Sequence, residues 1–298
     1  MDAAVDTSDV VVNYIETRIP VNVRQVNGWM SRAAIRDAVL APRWLSWLEV
    51  FAGTGGISAA LHRHVGARGR SIDVGLGGHQ HNILEPEGFG LILQLCLALV
   101  VGGFSWWAPP CAAWIWLSQG VSKRTAESPS GDTDHWFVKT SNKIVDRMSL
   151  CLQLLALRKV FFICEQPLTS LLYKYASWVR MQMACPKILS VTFTRRFVWL
   201  GYFGGTLAKP TVLMGICPIL NSITSSRPAR RTKSVVKTTP KVVFLKSSGK
   251  FKRVFRVYGK KALLSRSQAY PNRFCEFIGL KVAETNAKVL ALMHGGRI

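Results

Sequence analysis

Short apolar runs and longer stretches of helical periodicity alternate along this chain. Residues 44–52 (WLSWLEVFA) have the length and apolar character of a buried strand. A glycine turn follows at 53–56, and residues 57–65 predict a helix. Residues 69–74 predict a second strand ending at Asp73, followed by a loop holding His79, His81 and Asn82. Residues 89–98 predict a buried helix, and residues 100–107 a buried strand that Pro109-Pro110-Cys111 terminates. Residues 119–137 have the polar Ser, Gly and Asp content of a mobile loop. Residues 140–157 set Ile144, Met148, Cys151 and Leu155 at helical spacing. Residues 160–164 (VFFIC) predict another buried strand, closed by Glu165-Gln166-Pro167, and residues 171–183 a helix. Residues 188–194 and 196–202 are two more strand candidates. This alternation predicts an α/β fold with a Rossmann-like, doubly wound, mostly parallel sheet flanked by helices.

The flanking regions differ in character. Residues 1–43 predict a peripheral N-terminal segment with an apolar start at 10–15 and no evident chemistry. The core is expected over 44–220, a basic segment over 221–262, and a closing helix over 263–298 that packs back on the core, with Pro271 in its first turn. Residues 227–261 contain many Lys and Arg and no Asp or Glu. Their apolar groups, Val235-Val236 and Val242-Val243-Phe244, allow short strands. No charged residue occurs between Glu87 and Lys123, so residues 88–108 are long enough to span a bilayer. Gly102-Gly103 interrupt that run and two prolines follow it, which favours a buried helix and strand over a membrane span.

Composition narrows the function classes. The chain has 298 residues, 49% hydrophobic and 18% charged, which suits a sizeable core and excludes wholesale disorder. Its 39 Lys and Arg against 16 Asp and Glu leave a formal net charge of +23. Such a field attracts polyanions, so nucleic acid or an anionic membrane surface is the expected partner class, with a basic tail that only aids solubility or targeting the plainer alternative. The seven cysteines are widely spaced with no Cys-x-x-Cys pair. That argues against a disulfide framework or zinc finger and for a reducing, nuclear or cytoplasmic compartment. The start of the chain lacks a secretory pattern. His62 and His64 lie two apart on a predicted helix and share no face, and His79 and His81 lack partners at ligand spacing, so no metal is expected.

Four strand ends carry candidate chemistry. Glu49, Phe51, Ala52, Gly53, Thr54, Gly55 and Gly56 surround a turn between a buried strand and a helix. Glycines there let the backbone approach a ligand, and the helix N-terminus points at the same place. An ordinary strand-to-helix turn is the alternative. Asp73, about 20 residues on, stands where an acid can bind ribose hydroxyls or simply sit in a solvated turn. Ala108-Pro109-Pro110-Cys111 fixes a thiol at a strand end, as a nucleophile or as a buried apolar cysteine. Glu165-Gln166-Pro167 does the same for a carboxylate, as an acid and hydrogen-bond partner or as a surface residue.

In order and spacing, FAGTGG, the acid, PPC and the Glu tripeptide resemble the cytosine-5 DNA methyltransferases, a branch of the Rossmann-like S-adenosylmethionine-dependent methyltransferases. The resemblance covers about residues 45–205. It implies that Phe51, Ala52, Gly53, Thr54, Gly55 and Gly56 hold the methionine part of S-adenosyl-L-methionine and that Asp73 holds the ribose. Asn82 and Ile83 then lie near the adenine, with Pro109 beside the cofactor. Cys111 attacks carbon 6 of a flipped-out cytosine, Glu165 hydrogen-bonds ring nitrogen 3, and Arg195 or Arg196 is the accompanying cation. The chain departs from the family at Trp107-Ala108, where Gly-Gly is usual, at Glu165-Gln166-Pro167, where Glu-Asn-Val is usual, and at Asn82, where Asp is usual. A large target-recognition domain is also expected, and only residues 203–265 are available for one. The competing expectation is therefore a catalytically silent fold of this type that binds nucleic acid or a protein.

Overall fold

The computed structural model describes residues 7–29, 31–189, 192–205, 207–227, 237–245, 250–258 and 269–293. Three helices open the chain: α1 (Ser8–Arg18), α2 (Val21–Val26) and α3 (Arg32–Leu40). They lead into β1 (Leu45–Val50), α4 (Gly56–His64) and β2 (Gly69–Ile72). The short α5 (Val74–Gly77) precedes α6 (Pro86–Ala98) and β3 (Leu99–Trp107). The short α7 (Gln119–Ser122) precedes α8 (Trp136–Leu157), β4 (Phe161–Pro167) and α9 (Ala176–Leu189). β5 (Thr194–Trp199) and β6 (Pro210–Gly215) complete a six-stranded sheet of order β2-β1-β3-β4-β6-β5. Its first four strands are parallel, and β6 runs antiparallel to both β4 and β5. β7 (Lys237–Leu245) and β8 (Lys250–Tyr258) form a separate antiparallel ribbon, and α10 (Asn272–Met293) follows.

Helices cover both faces of the sheet, so its central strands read as continuous apolar runs. On one face Leu48, Val50, Trp107, Phe162, Cys164, Val212 and Met214 join a core with α1, α3, α6, α8 and α9. On the other, Trp47, Phe104, Trp106, Ile163 and Leu213 pack beneath α4 and α10. Those two helices meet closely: a Cβ at Gly279 would stand 2.9 Å from the Ala60 carbonyl oxygen, so only glycine allows that approach. The apolar run 88–108 divides into α6 and β3, the buried helix and strand expected of it. No helix among the described residues is long and apolar enough to cross a membrane.

Three expectations need revision. Residues 8–40 are three helices whose Val11, Val12, Ile15, Ile35 and Val39 belong to the main core, so this segment is integral to the domain. The polar stretch 119–137 is pinned by Arg124, which is only 1% exposed. Its guanidinium lies 3.5 Å from the Trp114 ring centroid and donates to Ala113 O, Pro129 O and Asn142 Oδ1. One strand, β5, replaces the two expected over 188–202, because Ile188 and Leu189 close α9 and pairing with β6 sets the strand's limits. β6 itself was not anticipated. Within the basic segment, Val242–Phe244 lies in β7, while Val235, Val236 and residues 263–268 lie outside the described residues.

Candidate active site

The chain leaves β1 through α4 to β2 on one side, then crosses by α6 to β3 on the other. This reversal makes a crevice outside the carboxyl ends of β1 and β3, where open α/β sheets bind ligands. The four chemistry-bearing strand ends are stitched together there. Phe51 N and Ala52 N donate to Ile72 O at 2.8 and 3.1 Å, joining the glycine loop to β2. Ala108 N donates to Val50 O at 3.2 Å, joining β3 to β1. The buried Gln166 amide donates to Pro109 O at 2.7 Å and accepts from Ser170 at 2.8 Å, joining β4 to β3. Gln166 therefore has a structural role in the Glu165-Gln166-Pro167 motif.

The glycine loop turns through left-handed backbone at Phe51 (φ 65°), Gly53 (φ 54°) and Gly55 (φ 71°). Such a conformation at a phenylalanine costs energy and persists because the surroundings hold it. Here the Phe51 ring packs edge-on against Trp107. A Cβ at Gly53 or Gly55 would meet nothing within 4 Å, so the outer side of the loop is open space. Asp73 shapes this loop from β2. One carboxylate oxygen accepts from Gly53 N at 2.9 Å, and the other caps α5 through Gly75 N at 2.8 Å. Asn82 stabilises its own turn by accepting from Leu84 N at 3.0 Å.

Two of the expected cofactor residues face inward. Ile83 is buried in the main core, and its carbonyl accepts from Arg147 at 2.6 Å. Glu49 is 0% exposed, on the α4 and α10 face of β1. One of its oxygens accepts from the backbone N–H and the hydroxyl of Ser58; the other is buried without a hydrogen-bond partner. Burial pushes the Glu49 carboxyl up to about 7, against the two Ser58 hydrogen bonds. Glu49 thus ties β1 to α4 from inside.

Cys111 and Glu165 meet at the same sheet edge. All seven cysteines lie in described residues, and Cys111 alone is partly exposed. Burial pushes its thiol pKa up, the neighbouring Glu165 charge pushes it further, and Lys209 pulls it down. Glu165 is 6% exposed, and its Oε1 is buried without a hydrogen-bond partner. Desolvation raises its pKa, while the Lys209 ammonium and the Tyr270 and Thr211 hydroxyls counter the rise. Lys209 Nζ stands 3.9 Å from Glu165 Oε1 and 5.5 Å from the Tyr270 ring centroid. The Trp106 indole N–H donates to the Tyr270 hydroxyl at 3.4 Å.

The cation at this centre is Lys209, from the turn before β6. Arg196 donates to the Leu220 and Asn221 carbonyls at 2.9 and 3.4 Å, and Arg195 stacks on Tyr173 and Phe197 at the sheet edge. Sequence reasoning missed Lys209, Thr211 and Tyr270. A signal for the first two existed, since Lys209-Pro210 directly precedes the apolar run TVLMG. Nothing local marks Tyr270. Among the described residues no three His, Cys, Asp or Glu side chains converge as metal ligands. No family model matches the chain, and no curated protein matches it significantly.

Proposed function

We propose that the protein is an S-adenosylmethionine-dependent methyltransferase acting on nucleic acid, with cytosine carbon 5 as the methyl acceptor. The observation that carries this reading is the coupling of a partly exposed thiol, Cys111, to a buried acid with an unsatisfied oxygen, Glu165, at the same sheet edge as an open glycine loop. The raised pKa of Glu165 favours its protonated form, which can donate to ring nitrogen 3 of cytosine. That hydrogen bond withdraws electrons from the ring and prepares carbon 6 for the Cys111 sulfur. A protonated Glu165 also removes the negative charge that opposes thiolate formation, leaving Lys209 to favour it. Addition at carbon 6 makes carbon 5 nucleophilic; once carbon 5 has taken the methyl group that the cofactor would supply and given its proton to solvent, elimination breaks the carbon 6–sulfur bond and frees Cys111.

Gly53, Gly55 and Asp73 are the residues suited to hold the cofactor, which supplies an electrophilic methyl group when bound. The target base must leave its stack to reach such a centre. The net charge of +23 and the acid-free basic ribbon β7–β8 support a polyanionic substrate. Incubating the protein with methyl-labelled S-adenosylmethionine and mixed DNA or RNA tests the reading. Label should appear on cytosine and disappear with Cys111→Ala. Cofactor-independent, salt-sensitive binding of nucleic acid without transfer would point to a silent fold.

A further inference from the structure

The outer strand β5 carries a second surface that this chemistry does not use. Arg195, Phe197 and Trp199 lie two apart and so share one face of the strand. The Arg195 guanidinium sits 4.2 Å from the Tyr173 ring centroid and 5.1 Å from that of Phe197. Arg227 sits 5.5 Å from the Trp199 ring centroid. Phe197 is 57% exposed, so an aromatic ring with a guanidinium beside it faces solvent. Neither arginine has a carboxylate partner among the described residues. No Asp or Glu occurs in the sequence from Gln166 to Cys275, the stretch that holds both arginines.

We propose that this face of β5, formed by Tyr173, Arg195, Phe197, Trp199 and Arg227, is a stacking surface for single-stranded nucleic acid. Exposed rings accept bases irrespective of sequence, and guanidinium planes offer both stacking and phosphate contacts. Residues two apart on a strand are separated by about 6.6 Å. That exceeds the roughly 3.4 Å base step of a duplex strand, so these rings suit the bases of an extended single strand. β5 is parallel to β4, because both run antiparallel to β6. The surface therefore rises toward the carboxyl edge that holds Glu165, where Trp199 pairs with Pro210 beside Lys209. Glu165 is in register with Leu213 and Arg196, so its side chain lies on the other face of the sheet, and a strand on this surface would approach the carboxyl edge from the face opposite Glu165. The surface binds whether or not Cys111 is chemically active.

The test is fluorescence anisotropy of the full chain with a labelled mixed-sequence DNA oligonucleotide of about 20 nucleotides, single-stranded and as a duplex, across a salt series. Phe197→Ser should weaken single-strand binding about tenfold, and Phe197→Tyr should retain it. Arg195→Ala should also weaken it and flatten the salt dependence by about 0.7 in log–log slope. The exposed Trp136, at the start of α8, serves as control: Trp136→Ser should bind normally. Cys111→Ala should also bind normally, which separates this proposal from methyl transfer. Wild-type affinity in both Phe197→Ser and Arg195→Ala would overturn it. So would equal losses on duplex and single strand, or the absence of any nucleic-acid binding.

Discussion

Replacing Glu49 with Gln should remove a pH dependence of stability that the wild type owes to one side chain. Glu49 is fully buried, with one oxygen satisfied by Ser58 and the other unpartnered. Its folded pKa of about 7 lies above the ordinary 4.5 that the unfolded chain restores. Between these values the folded state binds the extra proton, so stability falls as pH rises through the window. It levels off above about 7 and below about 4.5. At about 1.4 kcal/mol per pH unit, the ionised form costs roughly 3 kcal/mol of stability at pH 8. Glu49→Gln mimics the protonated acid in shape and charge. Urea unfolding of both proteins between pH 4 and pH 8.5 is the assay. The variant should gain about 3 kcal/mol over wild type across that range, mostly between pH 5 and 7. A constant difference between the two curves would refute the inward, desolvated placement of Glu49. So would a gain on the acid side.

Lys209→Met should raise the apparent pKa of the Cys111 thiol, because it removes the cation that holds that pKa down. Alkylation rates at Cys111, followed by peptide mass spectrometry against pH, should fall several-fold near neutrality; unchanged rates would remove Lys209 from the centre. Arg124→Met should cost about 3 kcal/mol, since the Ala113 and Pro129 carbonyls lose a buried charged donor. It should also open residues 119–135 to proteinase K, and resistance equal to wild type would show that the loop is held by something else. Gly55→Ala should cost roughly 1 kcal/mol through its left-handed backbone, although its Cβ would meet nothing within 4 Å. A thermal shift smaller than that of an ordinary surface substitution would contradict the turn geometry.

The strands that frame the site were legible because buried parallel strands leave continuous apolar runs, and turn residues mark their ends. Phe51–Gly56, Cys111 and Glu165 could be placed at one sheet edge on that basis. What stayed hidden depended on which way a side chain points and on distant partners. Glu49 lies two residues before the loop that its neighbours form, yet strand alternation turns it inward beneath α4. Ile83 follows Asn82 but is core. Arg195 and Arg196 are adjacent and face opposite sides of an edge strand, and a run of two arginines does not say which side the acid occupies. Lys209 and Tyr270 reach Glu165 from segments 44 and 105 positions away, by tertiary packing alone. The stretch 119–137 looked mobile by polarity, but one buried arginine fixes it.

The proposed chemistry depends on Cys111 adding covalently to a cytosine presented beside Glu165. The direct measurement uses an oligonucleotide whose cytosines carry fluorine at carbon 5, in place of the proton that must leave. Full-length protein is incubated with it in the presence of S-adenosylmethionine and digested for mass spectrometry. A stable adduct should form on the peptide containing Cys111 in the wild type, with none in Cys111→Ala and far less in Glu165→Gln. Absence of adduct in a wild type that binds both the cofactor and the oligonucleotide would contradict that chemistry, as would an adduct on any other cysteine.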